Sequence, residues 1–94
     1  MASLTIKSPQ GTSRSVNLLK RVTSIGRSGD NDIVLDDPGV PETAFAIIFD
    51  GTGYKAGGET SFFVNGKKTD ESALNANDIV KVGETELAFS LGNA

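Results

Sequence analysis

The chain contains no cysteine and no histidine among its 94 residues. Without cysteine there can be no disulfide bonds and no thiolate metal sites. Without histidine the commonest general base and the commonest metal ligand are both missing. Catalytic and metal-dependent functions are therefore disfavoured, and we expect no catalytic residue, no metal site and no cofactor.

Basic residues and long apolar runs are also scarce. Nine lysines and arginines face twelve aspartates and glutamates, which gives a formal net charge of −3 and a sequence pI near 4.7. The basic residues are scattered, so the basic stripe typical of nucleic-acid-binding domains is missing. No segment approaches the ~18–20 apolar residues of a membrane span, and no signal-peptide pattern opens the chain. We therefore expect a cytoplasmic protein, or the cytoplasmic part of one, that neither binds nucleic acid nor inserts directly into a membrane.

What the chain does have is glycine, which separates short segments rich in valine, isoleucine, phenylalanine and threonine. Turn signals recur about every ten residues, a spacing typical of all-β sandwiches and barrels. The strongest of them is Asn65-Gly66, a pair suited to a tight hairpin with positive φ. We predict one β-sandwich domain over residues 1–94, with its core at about residues 3–90 and about ten to eleven short, mostly antiparallel strands. This domain is either complete or the N-terminal module of a longer protein.

Three segments carry more specific expectations. Residues 44–49 form the longest apolar run and are predicted to be the longest and most central strand. Residues 57–61 include two glycines and are predicted to be a flexible loop. Residues 70–76 are expected to form one helical turn at most.

Strand geometry predicts which phenylalanine side chains are buried and which are exposed. Side chains alternate between the two faces of a strand, so Phe45 shares a face with Ile47 and Phe49, and all three are expected to fill the core. Phe62 and Phe63 are adjacent and must point to opposite faces. One of them should be core, and the other is a candidate partner contact if it is exposed, although Phe62 could also pack under a short loop.

The order of the short motifs resembles that of forkhead-associated (FHA) domains. Residues 25–27 (Ile-Gly-Arg), followed by residues 31–35 (Asn-Asp-Ile-Val-Leu), are similar to the opening motif of the family. Residues 37–40 resemble its next turn, residues 63–67 resemble its central hairpin, and the closing strands match as well. The resemblance extends over nearly the whole chain. It implies the FHA β-sandwich, a fold whose members bind phosphothreonine peptides.

The chain departs from the FHA pattern in the loops that hold phosphothreonine. After the valine equivalent to Val40, the family usually has Ser-Arg-x-His, and its serine hydroxyl bonds the phosphate. This chain has Pro-Glu-Thr-Ala at residues 41–44, where proline has neither a hydroxyl nor an N–H to offer and Glu42 adds a negative charge. The second family loop usually reads Ser-x-Asn-Gly-Thr, but residues 57–62 contain no asparagine. Of the phosphate ligands in the family, the resemblance leaves only Arg27.

Loop residues aligned with the FHA ligand positions form the candidate partner-binding or phosphopeptide-binding set: Arg27, Ser28, Glu42, Thr43, Thr60 and Ser61. Arg27 could hold a phosphate or carboxylate of a partner. It could instead pair with a nearby carboxylate of the chain itself: Asp30, Asp32, Asp36 or Glu42. The hydroxyls could form a weak anion site, or they could satisfy backbone groups in turns.

The resemblance and the departures from it together predict a non-catalytic protein–protein interaction module. We expect this module to dock a protein or peptide partner independently of phosphothreonine, in a signalling or secretion assembly of the kind that FHA-like adaptors serve. The alternative is a phosphothreonine-peptide reader that uses Arg27 and the neighbouring hydroxyls. Self-association and a structural role in orienting adjoining domains are further alternatives.

Overall fold

The computed structural model describes residues 2–92, which form nine β-strands and no helix. The strands are β1 Ala2–Lys7, β2 Ser13–Leu18, β3 Val22–Gly26, β4 Ile33–Val34, β5 Phe45–Phe49, β6 Tyr54–Val64, β7 Lys67–Leu74, β8 Ile79–Val82 and β9 Thr85–Ser90. The predicted all-β class is confirmed, with nine strands where about ten to eleven were expected. A helix of the length and hydropathy needed to cross a membrane is absent from these residues.

The strands form one hydrogen-bonded path in the order β2-β1-β9-β8-β6-β5-β3-β4, and β7 pairs with the side of β6. Every pairing is antiparallel except that of β3 with β4. The path curls until its two end strands meet. At that point Nη2 of Arg14 on β2 donates a hydrogen bond to the carbonyl of Val34 on β4 at 2.7 Å. The two halves of the curled sheet thereby enclose a single core, which is the arrangement of a β-sandwich.

Phe45 and Phe62 stack in this core. Their ring centroids are 4.7 Å apart with an interplanar angle of 29°, and each residue is only 1% exposed. The prediction that Phe45 and Ile47 fill the core is confirmed, while Phe49 is only half-buried. Phe63 is 42% exposed, so the adjacent phenylalanines of β6 do point to opposite faces.

The longest strand is β6, and the prediction that residues 44–49 form the longest strand is wrong. Residues 57–61 belong to β6, so the flexible loop expected there is also wrong. The first part of β6 pairs with β5 and its last part with β8, and its register against β7 shifts between Gly57 and Phe62. A bulge of this kind lets one strand bend and change partners, which is why two glycines occur inside it.

Residues 70–74 belong to strand β7, and no helical turn forms over residues 70–76, where one at most was expected. β7 pairs with β6 alone, and Leu74 is its only buried residue. An edge strand of this kind lacks the apolar alternation that marks a strand in a sequence. Its lysine, aspartate and glutamate side chains are those that proteins commonly place on exposed sheet edges.

The predicted Asn65-Gly66 turn is confirmed, with φ values of 51° and 83°. Both lie in the left-handed region that a tight hairpin turn requires. Asn65 also contacts the start of β8, where its Oδ1 accepts a hydrogen bond from the backbone N–H of Ile79 at 2.9 Å and its Nδ2 donates to Asp78 at 2.9 Å. One asparagine thus shapes the β6–β7 turn and holds it against β8.

Candidate functional site

The candidate residues lie on three segments that contact one another: residues 26–32 from the last residue of β3 to the start of β4, residues 35–44 between β4 and β5, and residues 57–61 of β6. We call these segments the loop rim. The hydroxyl of Thr60 donates to the carbonyl of Ala44 at 3.2 Å, which joins the third segment to the second. The fold therefore brings together segments that are more than a dozen residues apart in the sequence.

The first two segments of the loop rim are joined by backbone and amide hydrogen bonds. The backbone N–H of Arg27 donates to the carbonyl of Pro41 at 3.0 Å, and that of Ser28 donates to Glu42 at 3.1 Å. The side-chain amide of Asn31 donates both to the carbonyl of Ser28 at 2.9 Å and to that of Glu42 at 2.7 Å. Sequence reasoning missed this role of Asn31, although asparagine in a polar turn commonly bonds nearby backbone groups.

The guanidinium of Arg27 takes part in the same closure, because its Nε donates to the carbonyl of Val40 at 3.0 Å. The two ion pairs found in residues 2–92, Lys20–Asp32 and Lys55–Glu71, do not include Arg27. The alternative in which Arg27 pairs with a carboxylate of the chain itself is therefore wrong within the described residues. Its side chain is exposed, and its terminal nitrogens form no hydrogen bond within the described residues.

The hydroxyls of the loop rim differ in their use. Ser28 Oγ accepts a hydrogen bond from the backbone N–H of Asp30 at 3.3 Å. The Thr60 hydroxyl donates to the carbonyl of Ala44, as described above. These two hydroxyls satisfy local backbone groups, as the turn interpretation predicts. The side chains of Thr43 and Ser61 form no hydrogen bond within residues 2–92 and are exposed.

The loop rim consequently presents few donors to an anion. The N–H groups of Arg27 and Ser28 already donate across the rim, and Pro41 has no N–H at all. The carboxylate of Glu42 is exposed on the same segment. The side-chain donors that remain include the terminal nitrogens of Arg27 and the exposed hydroxyls of Thr43 and Ser61. The Ser28 hydroxyl, which accepts from Asp30, also keeps its own O–H to donate.

Gly26 determines how closely the first two segments approach. A Cβ at this position would overlap the carbonyl oxygen of Glu42 and would lie 2.8 Å from Nδ2 of Asn31. Gly58 has the same role where the third segment meets the second, because a Cβ there would overlap the carbonyl oxygen of Ala44. The loop rim can therefore close only because glycine occupies both positions.

Replacing Gly26 with alanine is expected to lower the free energy of unfolding by roughly 1–3 kcal/mol, because backbone must move to relieve the overlap. The matched control is Gly29→Ala in the same segment, where a Cβ would meet nothing within 4 Å. This control should unfold within about 0.5 kcal/mol of wild type. Urea denaturation measures both, and equal losses in the two variants would contradict the close approach.

A buried carboxylate supports the second segment from below. Asp37 is 3% exposed and accepts hydrogen bonds from Gly39 N at 2.9 Å, Glu84 N at 2.8 Å and the Thr85 hydroxyl at 2.9 Å. Burial by itself would raise the pKa of Asp37, but these three hydrogen bonds outweigh it, so the pKa lies below its usual value of 3.8. The contact ties the loop rim to the β8–β9 hairpin. No local pattern could reveal it, since Thr85 is 48 residues away in the sequence.

Solved structures that resemble the chain include FHA domains. The FHA domain of FhaA, solved in complex with the intracellular domain of Rv3910, matches with a TM-score of 0.83 and 24% identity over 95% of this chain and 99% of that one. The FHA domain of the CT664 protein from Chlamydia trachomatis matches with a TM-score of 0.83 and 21% identity over 95% of each chain. The cytoplasmic domain of the T3SS sorting platform protein PscD from P. aeruginosa matches with a TM-score of 0.80 and 17% identity over 99% of this chain and 82% of that one.

The fold is therefore that of an FHA domain, as the motif order predicts. Residues 8–92 match the family model Yop-YscD_cpl, described as the inner membrane component of T3SS, cytoplasmic domain. The chain belongs to this family. A comparison with curated proteins gave no match.

Proposed function

We propose that this domain docks a protein partner in the cytoplasm without requiring phosphothreonine, as a non-catalytic part of a secretion assembly of the T3SS type. The observation that carries the proposal is the closure of the loop rim on itself. Arg27 Nε donates to Val40, and the neighbouring N–H groups donate to Pro41 and Glu42. A phosphate would have to compete with these contacts for Arg27 Nε and for the backbone N–H groups of Arg27 and Ser28, and would otherwise depend on the terminal nitrogens of Arg27 and the neighbouring hydroxyls.

The energies of the remaining donors favour this interpretation. A charge-assisted hydrogen bond from a serine hydroxyl to phosphate contributes about 1.5–3 kcal/mol, and Pro41 cannot make it. The attraction between a phosphate and one exposed guanidinium is worth only about 0–1 kcal/mol. The exposed carboxylate of Glu42 would repel a phosphate bound nearby by a similar amount. The sum leaves little net affinity for phosphothreonine.

Family membership supports the kind of assembly. The matching family consists of cytoplasmic domains of an inner-membrane T3SS component, and one solved structure of the same fold is the cytoplasmic domain of a T3SS sorting platform protein. A domain in that position has protein subunits as its neighbours. If the loop rim is the contact surface, the residues that border it are Arg27, Ser28, Glu42, Thr43, Thr60 and Ser61.

An amide NMR titration tests the dependence on phosphate. The ¹⁵N-labelled domain is titrated with a degenerate phosphothreonine peptide library and, separately, with the unphosphorylated form of the same library. We expect no shifts that depend on the phosphate. The opposite result, phosphate-specific shifts around Arg27 that vanish in Arg27→Ala but persist in Arg21→Ala, would establish the phosphothreonine reader instead.

A further inference from the structure

A row of five side chains crosses the outer face of the sheet. Lys68, Phe63, Lys81, Glu86 and Lys7 lie directly opposite one another on β7, β6, β8, β9 and β1. All five are exposed. We call this set the outer row. None of its members belongs to the loop rim.

The apolar part of this face is Phe63 with its neighbour Ile79, which are 42% and 44% exposed. Both line an open groove of about 530 Å³, bordered also by Asn65, Lys81 and Glu86. The hydrogen bond from the backbone N–H of Ile79 to Asn65 Oδ1 fixes one wall of the groove. Exposed aromatic and aliphatic side chains in a preformed concave surface are typical anchor positions for protein partners.

The charges of the outer row have no partners in the domain itself. Lys7, Lys68, Lys81 and Glu86 take part in no ion pair or side-chain hydrogen bond within residues 2–92. The row carries three ammonium groups and one carboxylate, and of these charged residues Lys81 and Glu86 line the groove. The whole chain, in contrast, carries a formal charge of −3. The row is a positively charged strip on a negatively charged protein, and such a strip attracts and orients a partner of opposite charge.

We infer that the outer row is a docking surface for an acidic protein segment with an apolar side chain between its carboxylates. The apolar side chain enters the groove between Phe63 and Ile79, and the carboxylates reach Lys68 and Lys81. This inference goes beyond the proposed function, because it assigns a second surface that shares no residue with the loop rim.

The same charges argue against other occupants. A second copy of the chain would place an identical, net positive row against this one, and like charges across an interface are unfavourable. An anionic membrane surface would meet Glu86 between Lys81 and Lys7, and a protein of net charge −3 behind the row. An acidic segment of a partner protein complements both the lysines and the apolar groove.

Selection from a phage-displayed random peptide library on the immobilised domain tests the inference. We expect the enriched peptides to carry acidic residues around one apolar residue. Lys81→Glu and Phe63→Ser should each weaken their binding about tenfold or more. The matched charge reversal Arg21→Glu and the rim variant Arg27→Ala should change it less than about twofold. Binding should also weaken with added salt. Because the substituted residues are exposed, unchanged thermal unfolding confirms that each variant folds.

Several results would overturn the inference. The selection could enrich no peptides at all, or it could enrich peptides that lack acidic residues. The enriched peptides could also bind Lys81→Glu as well as they bind the wild-type domain. Two further results would overturn the inference: binding to vesicles that contain phosphatidylserine, or dimerisation in analytical ultracentrifugation, provided that Lys81→Glu abolishes the effect observed. If the selected peptides no longer bind Arg27→Ala but still bind Lys81→Glu, the outer row is not their docking surface. The proposed docking at the loop rim would then still stand.

Discussion

Replacing Phe45 with alanine is expected to lower the free energy of unfolding by about 3–5 kcal/mol. The side chain is 1% exposed and stacks on Phe62 with ring centroids 4.7 Å apart, so its removal leaves a cavity beside an aromatic ring. A domain of this size is stable by about 5–15 kcal/mol in total, so the loss is a large fraction. Urea denaturation followed by circular dichroism measures it.

The matched control is Phe63→Ala, which makes the same truncation on the outer face. We expect it to cost under about 1 kcal/mol, because this side chain is largely in water already. If Phe45→Ala unfolds the domain, Phe45→Leu gives a measurable loss of about 1–2 kcal/mol. An unchanged stability of Phe45→Ala would show that this ring does not contribute to the packing of the core.

Replacing Asp37 with asparagine is expected to cost about 3 kcal/mol at pH 7. Asparagine keeps the shape of the side chain but turns one acceptor oxygen into a donor. At least one of the three donors, Gly39 N, Glu84 N or the Thr85 hydroxyl, then loses its partner in a buried site. The exposed neighbour Asp36 supplies the control, because Asp36→Asn should change stability by no more than about 0.5 kcal/mol.

The stability difference between wild type and Asp37→Asn should depend on pH. The pKa of Asp37 is lower in the folded state than its usual value of 3.8, so its contribution is fully present above that value. It is lost as the pH falls through the folded-state pKa, because the protonated carboxyl can no longer accept all three hydrogen bonds. Asp32 and Asp50 also have lowered pKa values, that of Asp50 to about 2, but they are the same in both proteins and cancel in the difference. A difference that does not shrink between pH 5 and pH 2 would show that ionisation of Asp37 does not stabilise the fold.

The architecture could be predicted from local signals. Turn residues such as Asn65-Gly66 and the alternation of Val80 and Val82 with exposed neighbours mark strands and their ends, because both depend only on residues close in the sequence. The motif at residues 25–27 placed Arg27 on a loop next to a strand end. These signals were sufficient for the fold class and for the position of the loop rim.

Local signals failed where the neighbours of a segment decide its conformation. The segment 57–61 reads as a loop because of its glycines, but the close backbone of Ala44 and the pairing strands on both sides make it part of β6. The sequence of β7 has no strand pattern, because most of its side chains are exposed at the edge of the sheet. Backbone pairing with β6, and not burial, makes this segment a strand.

The all-β fold, the FHA resemblance and the loss of the usual phosphate-binding residues follow from the order of the amino acids alone. What the remaining groups do depends on how the strands pack. The tertiary structure shows that Arg27 donates to Val40 and pairs with no carboxylate of the described chain, that Asp37 meets Thr85 across 48 residues, and that a charged row flanks Phe63. The physical reason is that turns and alternation are properties of neighbouring residues, whereas hydrogen-bond partners and surface rows depend on which strands are brought side by side.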